Sequence, residues 1–318
     1  MEEITESESS LPNSAEVCLK ESSTIKHIVI AGGGVFLFSS YGALKELNQQ
    51  GIWNFENIET LYGTSSGAIN ALILNLNFDW ETMDNFLINR PWQHVFKMDM
   101  YSIINSFQTC GILTMQTIED LFVPLFKTKD ISMDITMKEL YELTHIELHM
   151  IATELEEFIL VDLSYKTHPD WKVIECLYIS CSLPILFPPC IKGDKTFCDG
   201  GFFCNYPLNN CYNDGHLPDE ILGIKGNYDL YEKGPHVPEP LSASSMTLID
   251  YFFKILLKIK NKLTIRETSE NVQIDNELSV SANIVSLYDI YLVSHSPEER
   301  KRLIEHGEHF AKEFIQKR

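Results

Sequence analysis

The chain has 318 residues, with 45 acidic against 25 basic side chains and a formal net charge of −20. That balance excludes nucleic-acid binding through a broad basic surface and disfavours uniform attraction to anionic membranes, so any membrane contact must be local. A hydrophobic content of 44% and a charged content of 22% exclude a disordered chain and imply a sizeable core in one large or two small domains.

Residues 1–24 are acidic and serine-rich and are expected to form a flexible tail. They lack the basic and apolar regions of a secretory leader, and no run approaches the ~18 apolar residues of a spanning helix. The expected location is intracellular and cytoplasmic, with peripheral membrane contact as the option left open. The eight cysteines include no C-x-x-C pair and no accompanying His pair, so no metal site is expected. Buried reduced thiols are the simplest reading, and a disulfide set is the alternative.

In chain order, Lys26–Ala31 reads as a buried strand that runs into Gly32-Gly33-Gly34. Val35–Gln50 reads as a helix closed at Gly51. Ile58–Tyr62 is a second strand. It leads through Gly63-Thr-Ser65-Ser-Gly67 into a helix over Ala68–Leu76. Two strand–loop–helix units in succession predict parallel neighbours with both loops at one sheet edge. Residues 79–145 are mostly helical in pattern, clearest at Asp79–Asn89 and Thr117–Phe126, with a short helix over Thr136–Leu143. Thr117 with Asp120 resembles a capping box, and Pro91 and Pro124 punctuate. Glu147–Thr153 and Phe158–Asp162 pair as strands around a turn at Glu154–Glu157. Val173–Ser182 is helical, and Thr196–Cys198 is a short strand before Asp199-Gly200-Gly201. Ile221–Gly226 is a further strand, and 227–244 is a Pro/Gly/Ser-rich loop. Met246–Leu263 is a helix with lysines beside an aromatic and aliphatic face. It reads either as a cover helix with solvated lysines or as a membrane-surface helix whose contact would depend on Phe252 and Phe253. Residues 264–280 look polar and turn-prone, Ile284–Val293 strand-like with a break at Asp289. A last helix opens at Pro297.

Three loops carry possible chemistry. Gly32–Gly34 cannot be a dinucleotide fingerprint, because Leu37 occupies the third glycine position, and no Gly-Lys-Ser/Thr follows for a P-loop. Backbone N–H groups at a helix start still form an anion site. Gly63–Gly67 reads G-x-S-x-G, which is either an ordinary Gly/Ser turn or a sharp strand-to-helix turn that projects Ser65. A serine nucleophile needs a base. His216 and His295 are the nearest histidine candidates, neither in a convincing loop, and His149 within a strand reads as structural. Asp199 can serve if it is partly desolvated and bonds the hydroxyl directly, although Asp-Gly is also a common turn.

Taken in order, these loops resemble the patatin-like phospholipases, serine lipid acyl hydrolases with a Ser–Asp dyad. The matching pieces are Ala31-Gly-Gly-Gly34, Gly42-Ala-Leu-Lys-Glu-Leu47, Gly51-Ile52, Gly63-Thr-Ser65-Ser-Gly67-Ala68, Gly111-Ile-Leu, Ala152-Thr153, Ser180-x-Ser-Leu-Pro184-x-x-Phe187-x-Pro189, Asp199-Gly-Gly201 and Asn205-x-Pro207, with a closing helix over Glu298–Ala311. The resemblance implies an α/β fold, a three-layer α/β/α sandwich with a mainly parallel central sheet. It implies a single domain over 25–318, with core motifs in 25–225 and C-terminal cover helices in 245–318. It makes Ser65 the nucleophile, Asp199 its base and Gly32, Gly33 and Gly34 the oxyanion loop, supported by Gly63, Gly67, Gly200 and Gly201. The implied activity is phospholipase A-type cleavage of fatty acyl esters of phospholipid or related lipid, without a cofactor. One departure stands out. The family's loop usually continues Gly-x-Arg/Lys-Gly, and here Val35-Phe36-Leu37 replaces the basic residue and fourth glycine. A catalytically silent, lipid- or protein-binding member of the fold is therefore the alternative.

Overall fold

The computed structural model describes residues 24–98, 100–228, 247–269, 272–283 and 286–318. Residues 1–23 of the expected tail and 229–244 of the expected loop lie outside the described residues. Strand β1 (His27–Ile30) is followed by helix α1 (Phe36–Gln49), then β2 (Thr60–Thr64) and α2 (Ser66–Asn75). The helical block holds α3 (Trp80–Asn89), α4 (Met100–Thr109), α5 (Met115–Thr128) and α6 (Met137–Thr144). The hairpin β3 (Glu147–Glu154) and β4 (Ile159–Leu163) follows, then α7 (Val173–Cys181), β5 (Cys190–Lys192) and β6 (Lys195–Asp199). Last come α8 (Leu208–Asn213), β7 (Ile221–Asn227), α9 (Leu248–Ser269), β8 (Asn276–Ser281), α10 (Leu287–His295) and α11 (Pro297–Gln316).

The strands form one eight-stranded sheet in the order β5-β6-β3-β2-β1-β7-β8, with β4 also on β3. Strands β3, β2, β1, β7 and β8 run parallel, and β4, β5 and β6 are antiparallel additions. Strands β1, β2 and β3 are wholly buried, whereas the edge strand β8 alternates between buried and half-buried residues. The two faces differ. Ile28 and Ile30 of β1 enter the main core with α1, α2, α5 and α7. Val29, one residue out of phase, joins Tyr62 of β2 and Leu208 and Cys211 of α8 on the opposite face.

The C-terminal helix α11 lies directly on α1. A Cβ at Gly42 would strike the Ile304 carbonyl, and one at Gly307 would strike the Ser39 carbonyl, so both positions exclude any larger residue. Arg300 of α11 is 1% exposed and donates to the carbonyls of Ile88, Arg90 and Val293. It thereby caps the C-terminal ends of α3 and α10 together.

Four expectations are corrected. Of the expected strand Ile284–Val293, residues 284 and 285 lie outside the described residues and the rest is not a strand, because α10 occupies Leu287–His295. The side chains of Ser286 and Asp289 each bond the other's backbone N–H, so Asp289 starts the helix instead of breaking a strand. Residues 264–280 are not one turn-prone run: α9 continues to Ser269 and β8 starts at Asn276. The capping box of α5 is Thr114 with Thr117, one residue before the helix rather than inside it. Pro124 sits within α5, which continues around it to Thr128. The seven described cysteines are all free, and five of them are buried.

The second face carries a polar network. His149 of β3 is 3% exposed and stacks on Tyr62 at 4.0 Å. Its Nδ1 lies 2.7 Å from Asp162 and its Nε2 3.0 Å from Glu147. Burial opposes its charge, but the hydrogen bond to Asp162 and the charges of the two carboxylates outweigh that and raise its pKa to about 9. His27 goes the other way: burial, with neighbouring His216 and Lys26, lowers it to about 3. Because the folded value of His149 exceeds the ordinary 6.5, its stabilisation is complete below pH 6.5 and is lost as pH rises through about 9. The amount is on the order of 3 kcal/mol. Urea unfolding is therefore expected to show stability falling between pH 6.5 and 9 in the wild type and a flatter profile in His149→Gln. Parallel profiles would show that the network does not hold a charged imidazole.

Candidate active site

The site forms where two strands meet end to end on a third. Strand β4 occupies one edge of β3 over Met150–Glu154. The other edge is shared: β2 pairs up to Thr64 opposite Ile151, and β6 takes over with Asp199 opposite Ala152. The register therefore brings the residue after Thr64 alongside Asp199. Side chains fasten the junction. Thr153 Oγ1 donates to the Asp199 carbonyl at 3.1 Å, and Thr64 Oγ1 to the Cys204 carbonyl at 3.0 Å.

Ser65 turns the chain from β2 into α2 at φ 54° and ψ −122°. A non-glycine residue is rarely held there, and such strain must be fixed by its surroundings. Two contacts do so. The Ser65 N–H donates to Ser180 Oγ at 3.0 Å, and Ser180 in turn donates to the Ile151 carbonyl at 2.6 Å. Gly67 lets α2 press against β1, since a Cβ there would collide with the Ile30 carbonyl. Ten residues of α2 then point their N-terminus at the turn.

The glycine loop sits beside this turn. A Cβ on Gly32 would lie 3.2 Å from that of Ser65. Asn205 steadies the loop from both sides: its carbonyl accepts from the Gly32 N–H at 3.0 Å, and its side chain donates to the Gly32 carbonyl at 3.0 Å. The Gly33 N–H donates to Ser66 Oγ at 2.9 Å. Gly34 takes φ 59°, and its N–H is engaged by no described residue. Of the two residues that replace the family's basic and glycine positions, Phe36 packs into the core and Leu37 lines the cavity at Ser65.

Asp199 is 0% exposed. Its Oδ1 accepts from the Gly201 N–H at 2.8 Å and lies 3.2 Å from Nζ of Lys260 on α9. Its Oδ2 is buried and has no hydrogen-bond partner among the described residues. The Ser65 hydroxyl is not bonded to it here. A buried carboxylate oxygen left unmatched costs free energy, so this one favours any donor that can reach it. An apolar cavity of about 140 Å³ opens beside Ser65, Gly33 and Gly34 and is walled by Phe38, Ile69, Trp92, Leu121, Phe187 and Leu257.

The histidine candidates do not join this site. His216 stacks on His27 at 3.7 Å on the polar face, and His295 bonds Ser294 and the Tyr291 carbonyl. One trio of possible metal ligands exists among the described residues: atoms of His149, Asp162 and Asp214 lie within 4.8 Å of one another. The chemistry does not fit a cage. A protonated His149 ring has no lone pair to give, and Asp214 already accepts from Tyr62 at 2.6 Å. Sequence reasoning missed Lys260, Ser180 and Asn205 as site residues. The last two lie inside motifs already noted, whereas Lys260 is one of four lysines at 254, 258, 260 and 262 with nothing local to single it out.

Known proteins resemble the chain as follows. The probable lipid hydrolase 463L of Invertebrate iridescent virus 6 is 26% identical over 220 residues, 66% of this chain and 73% of that protein. The uncharacterized protein R571 of Acanthamoeba polyphaga mimivirus is 23% identical over 202 residues, 64% of this chain and 65% of that protein. The crystal structure of VipD from Legionella pneumophila shares the fold, with a TM-score of 0.54 at 16% identity over 93% of this chain and 67% of that one. A family model described as patatin-like phospholipase matches residues 28–212, more than half the chain. With its sheet, its glycine loop and its Ser65 turn in that order, the chain belongs to the patatin-like phospholipase family.

Proposed function

We propose that the protein is a lipid acyl hydrolase that works through Ser65 and Asp199. The observation that carries this reading is the pairing of a strained Ser65 turn with a wholly buried Asp199 whose Oδ2 lacks a donor. In this reading Ser65 Oγ gives its proton to Oδ2 and attacks the ester carbonyl. The oxyanion takes the Gly34 N–H, and the Gly33 N–H once the Ser66 hydroxyl yields it. The tetrahedral intermediate collapses, and the leaving alcohol takes the proton from Asp199. Water then attacks the acyl-serine with Asp199 as base and releases the fatty acid. The apolar cavity receives the acyl chain.

Membrane contact is assigned to the outer face of α9. Phe252 (53% exposed), Ile255 and Ile259 line a groove of about 470 Å³ against Phe107 (70% exposed) of α4. Tyr101 and Ile104 of α4 are exposed as well, and Lys254, Lys258 and Lys262 stand exposed on α9. On a chain of net charge −20, this local mix of apolar and cationic groups suits an anionic phospholipid surface. Among the described residues no helix is long and apolar enough to cross a membrane. Phe253 faces inward at 2% exposure, so it belongs to the cavity and not to this surface. Besides the Val35-Phe36-Leu37 replacement, the Gly33 N–H held by Ser66 favours the silent reading.

Two experiments decide these points. Hydrolysis of a panel of phospholipid and simpler acyl esters is expected to fall about 10³-fold or more in Ser65→Ala and in Asp199→Asn, with both variants folded. No hydrolysis by the wild type of any ester would favour the silent reading. Co-sedimentation with anionic phospholipid vesicles is expected to drop in the Phe252→Ser/Ile255→Ser double variant without loss of thermal stability. Undiminished binding would remove α9 as the contact surface.

A further inference from the structure

Among the lysines of α9, Lys260 is an exception. Lys254, Lys258 and Lys262 are exposed, but Lys260 is 7% exposed and reaches the wholly buried Asp199. Its stem passes over Gly201, where a Cβ would collide with Lys260 Cε. A side chain at the third residue of Asp199-Gly-Gly201 would push the end of Lys260 aside. Burying an ammonium costs several kcal/mol unless an opposite charge meets it, and the same holds for the carboxylate. Each therefore offsets the other. The contact is also directional: Lys260 and the Gly201 N–H both take Oδ1, so Oδ2 is the atom left for a donor.

We infer that Lys260 is a positioning residue for the Ser65–Asp199 pair, holding Asp199 by Oδ1 and balancing its charge so that Oδ2 receives the Ser65 proton. This rests on the reading of Ser65 as nucleophile. Lys260 lines the same cavity as Ser65, Gly33 and Gly34. It thus brings to the site, from a helix far along the chain, the positive charge that Val35-Phe36-Leu37 does not carry in the glycine loop. Phe253 and Leu257, about two turns and one turn earlier, present the same face of α9 to that cavity. Seating α9 therefore walls the acyl site and completes its electrostatics in one step. Among the described residues, the other titratable groups facing Asp199 are Cys181 of α7 and Cys198 of β6. Burial pushes both thiols up, Cys198 to about 12, so neither brings charge.

The test is the rate at which an alkyl fluorophosphonate labels Ser65. The serine oxygen bonds phosphorus, fluoride leaves, and Asp199 takes the hydroxyl proton. Lys260→Met is expected to slow labelling about ten- to a hundredfold, the scale of one charge-assisted bond. Lys260→Arg is expected to restore most of the rate, and added propylammonium to recover Lys260→Ala. In ester turnover, kcat should fall with KM nearly unchanged. Thermal melting of each variant separates this from loss of fold. Faster labelling of Lys260→Met would overturn the proposal and make the contact a bolt on the site. Equal losses in Met and Arg variants without amine rescue would reduce Lys260 to packing and overturn it too. A wild type that resists labelling defeats the nucleophile reading and this inference together. A labelled wild type that releases no fatty acid defeats only the lipid reading.

Discussion

Strand β3 has one edge with two tenants, and the proposed catalytic pair sits at their boundary. Strand β2 arrives parallel and stops at Thr64, and β6 arrives antiparallel and stops at Asp199. A strand that ends leaves its next residue free to leave the sheet, and here two such ends abut. Moving either register by one residue would turn every side chain on that strand to the other face. The hydrogen bonds from Ser180, Thr64 and Thr153 all serve to hold this boundary. The strain at Ser65 is affordable only because the sheet beneath it is buried and cannot yield.

Much of this was legible from local pattern. Strands β1 and β2 announce themselves as short apolar runs ending in glycine, and the sharp Ser65 turn follows from Gly63 and Gly67. His149 as a structural residue was legible too. Its partner Glu147 lies two positions away, on the same strand face, and the hairpin brings Asp162 across. What stayed hidden depends on contacts distant in sequence. Nothing within α9 distinguishes Lys260 from Lys258, because burial is decided by Asp199 some sixty residues earlier. Ile284–Val293 looked like a strand because its residues are apolar and β-branched, and two side-chain bonds at Ser286 and Asp289 overrode that preference. Arg300 lies in a polar, charge-rich helix, and only its distant carbonyl partners at Ile88 and Val293 account for its burial.

The two sheet faces divide the labour. The main core with its cavity lies on one side, and a network of paired histidine and carboxylates lies on the other, under the short helix α8. Helix α9 carries a similar division along its own axis. Its inner face reaches Asp199 and walls the cavity, and its outer face leaves Phe252 and Ile259 uncovered. One helix therefore connects the proposed lipid surface to the proposed catalytic carboxylate.

The central claim is that Ser65 carries the acyl group during turnover. Acid quenching during turnover of a long-chain activated ester, followed by mass spectrometry of the peptides, tests it most directly. One acyl group per chain is expected, located on Ser65 and absent from Ser65→Ala. Fatty acid release with Ser65 unmodified, or an acyl group on another residue, would contradict it.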